Sequence, residues 1–95
     1  METEDRIYLY RQAVKEWGNV LQWLQGVEEM GELTSEVCHL IRGRIKPNDE
    51  HLAEEIADVE LCIEQLKDIC GNHMQVEKWK ELKLERLQDR LQEAK

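Results

Sequence analysis

Residues 49–71, DEHLAEEIADVELCIEQLKDICG, decide the fold. Within them Leu52, Ile56, Val59, Ile63, Leu66 and Cys70 recur at steps of three and four. That is the spacing of one helix face, not the alternation of a strand. Asn48 stands before the acids Asp49 and Glu50 and predicts an N-cap followed by a first turn that suits the helix dipole. Gly71-Asn72 is a C-cap signal. The helix is therefore predicted over 49–70. Upstream, Arg42-Gly43-Arg44-Ile45-Lys46-Pro47-Asn48 holds the only proline and makes the longest break. Gly18-Asn19 closes a stretch carrying Tyr10, Val14 and Trp17 on one helical face. Downstream, Val76, Trp79, Leu82, Leu84, Leu87 and Leu91 give the last helix a broad apolar face.

Four helices follow, over 3–17, 20–42, 49–70 and 73–93. The middle two each run ~30 Å at 1.5 Å per residue, and their short connection makes them antiparallel neighbours. The expected fold class is all-α, a four-helix-type bundle completed by oligomerisation, with one domain spanning 1–95.

Composition narrows the function. The chain has 95 residues, 41% hydrophobic and 36% charged, which is too apolar for a disordered chain. No apolar run approaches the ~18 to 20 residues of a membrane span. A net charge of −8 repels a phosphate backbone, so a nucleic-acid polymer is not the expected partner. The start METEDRIYLY carries no apolar signal core. Cys38, Cys62 and Cys70 are odd in number and form no CxxC pair, so they read as small buried hydrophobes in a reducing compartment. A cytoplasmic location is expected.

The acids carry the chemistry. Glu2/Asp5, Glu29/Glu32 and Glu55/Asp58 are spaced (i, i+3) and so share a helix face. A shuffle of this composition gives roughly four or five such pairs, so spacing alone decides nothing. Position on the helix does. At ~100° per residue, with Glu55 at zero, the apolar residues of 49–70 fall at about 20° to 100°. Cys62 and Ile69 lie just across Glu55, and Asp58 lies at the edge. Around Glu29, Leu40, Leu33, Val37 and Met30 fill the same arc, with Glu36 and Glu32 on the other side. Each central helix thus sets one glutamate in its apolar seam and a second acid one turn on. Glu2/Asp5 belongs to a solvated terminal turn.

A buried carboxylate without a partner is costly. One resolution pairs Glu29 and Glu55 with Arg42, Arg44 or Lys83. The other is a metal site, where four carboxylates suit Mg²⁺ or Mn²⁺ better than zinc.

EEMGEL (Glu28 to Leu33), a basic loop and then EEIADV (Glu54 to Val59) resemble the MazG-like nucleoside triphosphate pyrophosphohydrolases of the all-α NTP pyrophosphatase superfamily. The likeness runs from about Ala13 to Arg90. VKEWGNVLQWLQGVEEMGEL looks like the family's entry into its second helix, and KLERLQDRL like its closing basic stretch. The resemblance implies that Glu29, Glu32, Glu55 and Asp58 ligate Mg²⁺. It further implies that Lys83, Arg86 and Arg90 contact a nucleoside triphosphate, and that the site is built in a homodimer or dimer of dimers. Hydrolysis would yield a nucleoside monophosphate and pyrophosphate, with Glu32 or Glu36 as base for the water. Leu87 stands where many members carry an asparagine.

Four other readings stand beside this one. Glu36-x-x-His39 matches one half of a di-iron site, but no second copy exists, so His39 reads as a surface or interface residue. His51, near an acidic first turn, reads as cap chemistry. Trp17, Trp23 and Trp79 can stack on a base, Trp23 foremost, though at helical spacing each also reads as core. The rival from another class is a non-catalytic, antitoxin-like helical interaction module. In that case Glu29 and Glu55 would be replaceable by apolar residues.

Overall fold

A computed structural model describes residues 1–95. It contains four helices and no strand: α1 (Thr3–Trp17), α2 (Asn19–Ile41), α3 (Glu50–Cys70) and α4 (His73–Glu93). The all-α class is as expected, and each boundary falls within one residue of its expected place. The cap of α3 differs. Asp49, not Asn48, is the N-cap, its side chain accepting from the Leu52 N–H at 3.0 Å. Asn48 is taken up in the preceding turn, in which the Asp49 N–H donates to the Lys46 carbonyl at 3.0 Å. Gly71 ends α3 at φ 64°, a left-handed position that suits a residue without Cβ. Gly18, at φ 84° and ψ 160°, is the single-residue joint between α1 and α2.

α2 and α3 form the antiparallel hairpin around which the molecule is built. Contacts fix their register. Gln65 donates to Gln22 at 2.7 Å. Gly26 faces Cys62, Glu29 faces Asp58, Glu32 faces Glu55, and Glu36 lies 4.0 Å from His51. Each step of three or four up α2 is thus matched by a step of three or four down α3, as in a seam of interlocking side chains. α1 lies against one side of the hairpin and ties to α3 through Arg6–Glu64 and Arg11–Asp68. No helix is long and apolar enough to cross a membrane.

The core is thin. Leu52 and Val59 are the only apolar residues among the five buried ones, and Gln22 and Glu55 are buried beside them. The apolar arc of α3 is only half used, because Ile56, Ile63 and Leu66 stay about two-fifths exposed. On α2 the matching stripe, Trp23, Met30, Val37 and Ile41, is exposed as well. Cys38 and Cys70 are exposed rather than buried, Cys62 is half-buried, and all three thiols are free. α4 buries no residue and does not pack along the other helices, so one chain does not close a bundle. The radius of gyration, 16.6 Å, exceeds the roughly 12 Å of a compact chain of this length. Accessible surface is 7897 Å², against about 5,700 Å² for a compact monomer of this mass.

Candidate metal centre

The carboxylates gather at the middle of the α2–α3 seam. Helix spacing puts Glu29 and Glu32 one turn apart on α2, and the antiparallel register sets Glu55 and Asp58 opposite them. One oxygen from each of Glu29, Glu32 and Glu55 lies within 4.8 Å of the other two. Asp58 joins through its contact with Glu29. All four acids singled out in the sequence therefore meet at one place.

Glu55 is the deepest, at 4% exposure, as its position on the helical wheel requires. Glu29 and Asp58 are half-buried, and Glu32 faces solvent. Glu29 Oε2 and Glu55 Oε2 are both buried without a hydrogen-bond partner. Such atoms are rare in folded proteins and call for an explanation. No lysine or arginine comes within 4.0 Å of any of the four acids. The pairing with Arg42, Arg44 or Lys83 is thus not made.

Crowding shifts the acids together. Burial, then the charges of Glu32, Asp58 and Glu55, push the Glu29 carboxyl up to about 7. Burial and the neighbouring Glu32 raise Glu55 too, with His51 opposing. Cys62, one turn beyond Asp58, is raised by burial and by Glu29 and Asp58. Three acids converging on two orphaned oxygens form a nest of hard donors. A divalent cation bound by oxygen fits that donor set, and no thiolate pair or imidazole cage competes.

Beside the acids, α1 leaves a cleft of about 300 Å³ that opens onto Glu29 and Asp58. Tyr10, Gln22, Gln25 and Gln65 supply its polar wall, and Leu9 and Leu61 its apolar one. Trp23 is not in it. It borders a second, more apolar groove with Val27, Met30 and Leu66, on the other side of the hairpin.

The basic residues lie elsewhere. Lys83, Arg86 and Arg90 are exposed on α4, make no ion pair, and within one chain are not brought to the acids. Arg86 sits over the Trp79 ring, 5.9 Å from its centroid. Glu36 and His39 approach each other at 3.4 Å.

His51 is the residue that sequence reasoning misplaced. It caps nothing; its Nε2 stands 3.6 Å from Glu55 Oε1 and 4.0 Å from Glu36 Oε1. The available signal was its place four residues before Glu55, one turn up the same helix face. The Gln22–Gln65 pair was also missed, because glutamines in an apolar seam have no motif.

Comparison with known protein families, with curated proteins and with solved structures finds no match for this chain.

Proposed function

We infer that the chain is a Mg²⁺-dependent nucleoside triphosphate pyrophosphohydrolase, with Mn²⁺ as an alternative ion. The observation that carries the metal is the pair of buried, unpartnered oxygens of Glu29 and Glu55 inside a cluster of four acids. The order of the motifs, ExxE, ExxD and a downstream basic stretch, carries the reaction.

Glu29, Glu32, Glu55 and Asp58 would hold the ion, which neutralises the triphosphate and joins it to an acidic protein. Water attacks the α-phosphorus, and the bridging oxygen leaves with pyrophosphate. Glu32, the most exposed of the four acids, or Glu36 would take the proton of that water. The cleft between α1 and the hairpin suits the nucleoside end, its amides offering donors and acceptors beside apolar walls. Free thiols suit the cytoplasm.

The assembly is a homodimer or dimer of dimers. Each chain exposes about 2,200 Å² more than a compact monomer of its mass. Obligate interfaces bury areas of that order. The stripes Trp23, Met30, Val37 and Ile56, Ile63, Leu66 supply an apolar face for a second copy. An assembly also lets Lys83, Arg86 and Arg90 of one α4 reach the acids of another copy and bind the phosphates there. Light scattering should give a dimer or tetramer; a monomer at micromolar concentration contradicts this assembly.

The test is pyrophosphate release from a panel of ribo- and deoxynucleoside triphosphates in Mg²⁺, Mn²⁺ and EDTA. Release that requires the metal and stops in Glu55→Gln supports the reading. The exposed apolar face of α4 favours a second one, a helical interaction module. That reading gains if no triphosphate is cleaved and Glu29→Leu with Glu55→Leu leaves assembly intact.

A further inference from the structure

We propose that His51 is the positioning residue of the metal centre, holding the outer oxygen of Glu55. The inference rests on the metal reading above. Glu55 divides its two oxygens between different surroundings. Oε2 is buried and unpartnered, while Oε1 faces the imidazole Nε2 of His51 at 3.6 Å. The Glu55 side chain is 5% exposed, so few neighbours can reach it. No lysine, no arginine and no other histidine comes within 4.0 Å of any of the four acids.

Glu36 from α2 faces the same nitrogen, its side chain 13% exposed, with Oε1 4.0 Å from His51 Nε2 and 3.4 Å from His39 Nδ1. The one Nε2 of His51 therefore stands between two carboxylates, nearer to Glu55 than to Glu36. A carboxylate ligand that is free to rotate samples geometries in which it cannot bind. A donor on its outer oxygen confines it to the one in which Oε2 points at the ion. His51 is itself 59% exposed. A small rotation closes 3.6 Å to a hydrogen bond, in which Nε2–H donates and Oε1 accepts. The Glu36 carboxylate, at 4.0 Å from the same Nε2, is the rival acceptor for that N–H.

The exposure of His51 makes the test clean, because its replacement removes almost no packing. Mn²⁺ affinity is read by titration calorimetry and by the EPR signal of free Mn²⁺, in wild type, His51→Ala, His51→Gln and Glu36→Ala. Melting in EDTA runs alongside. Loss of a partner that orients a ligand weakens metal binding roughly 10- to 100-fold. His51→Ala should show that loss with its EDTA melt unchanged. His51→Gln, whose amide can donate to Oε1, should recover most of it, and Glu36→Ala, which leaves the Nε2–H to Glu55 alone, should not weaken binding. Wild-type Mn²⁺ affinity in His51→Ala overturns the inference and leaves the metal reading standing. A wild type that takes up no Mn²⁺ overturns both.

Discussion

The α2–α3 seam has two halves built from the same helices at the same spacing, and they treat buried polar groups in opposite ways. In the neutral half, Gln65 donates to Gln22 at 2.7 Å, and Gly26 faces Cys62 across the seam. In the acidic half, Glu29 and Glu55 each bury an oxygen that nothing satisfies. A hydrogen bond offsets desolvation in the first. No hydrogen bond offsets it in the second, where like charges add to the cost. The contrast separates polar residues paired within the packing from polar residues that the chain leaves unpaired.

The strongest way to break the comparison is Glu55→Gln. If the acidic half is held for a cation, the amide should abolish metal-dependent pyrophosphate release. Without metal it should raise the melting temperature, because a buried charge among like charges is gone. Loss of turnover together with a lower melt in EDTA would instead make Glu55 a structural residue. Full Mg²⁺-dependent hydrolysis by Glu55→Gln would remove it from the site.

The next effect is on pH. The Glu29 carboxyl is raised from 4.5 to about 7, so the folded chain holds a proton that the unfolded chain has released. Stability from this group is then fully present below 4.5 and is lost as the pH rises through about 7. Glu55 shifts in the same direction and adds to the slope. In EDTA the melting temperature should therefore fall across that interval. Mn²⁺ should abolish the fall, since the cation takes the place of the proton, and Glu29→Gln should flatten it. A flat EDTA profile for the wild type would mean that the acids are already compensated from elsewhere.

The seam explains how much could be read from the sequence. The 3.6-residue period placed all four helices, and the wheel placed Glu55 among Leu52, Val59 and Cys62, where it is buried. Those facts are local to one helix. What lay across the seam was not legible. Whether Glu55 met a lysine or another acid from α2 depended on antiparallel register, which no residue of α3 encodes alone. The apolar arc promised more core than one chain supplies, because Ile56, Ile63 and Leu66 need a surface that α1 and α4 do not provide. Lys83 and Arg90 share a face of α4, but their spacing says nothing of where α4 points.

The neutral half gives a smaller effect. Gln22→Ala strands the amide of Gln65 in a half-buried position and should cost about 1–3 kcal/mol in urea unfolding. Replacing both glutamines by leucine should restore most of it, since both ends of the bond are then removed. Mn²⁺ affinity should not change in either variant. A shift in affinity would couple the two halves and deny that the neutral one is packing alone.

The smallest effect is the sharpest on geometry. Gly26 is helical and buried, and a Cβ built on it would stand 3.7 Å from Cys62 Cβ, an ordinary van der Waals contact. Nothing in the seam therefore requires glycine there. Gly26→Ala should stabilise the protein by about 0.5–1 kcal/mol, the helix preference of alanine over glycine, with metal binding intact. Destabilisation would mean that the helices approach more closely in the assembled protein than in one chain. The seam would then tighten on assembly, and the spacing of the four acids with it.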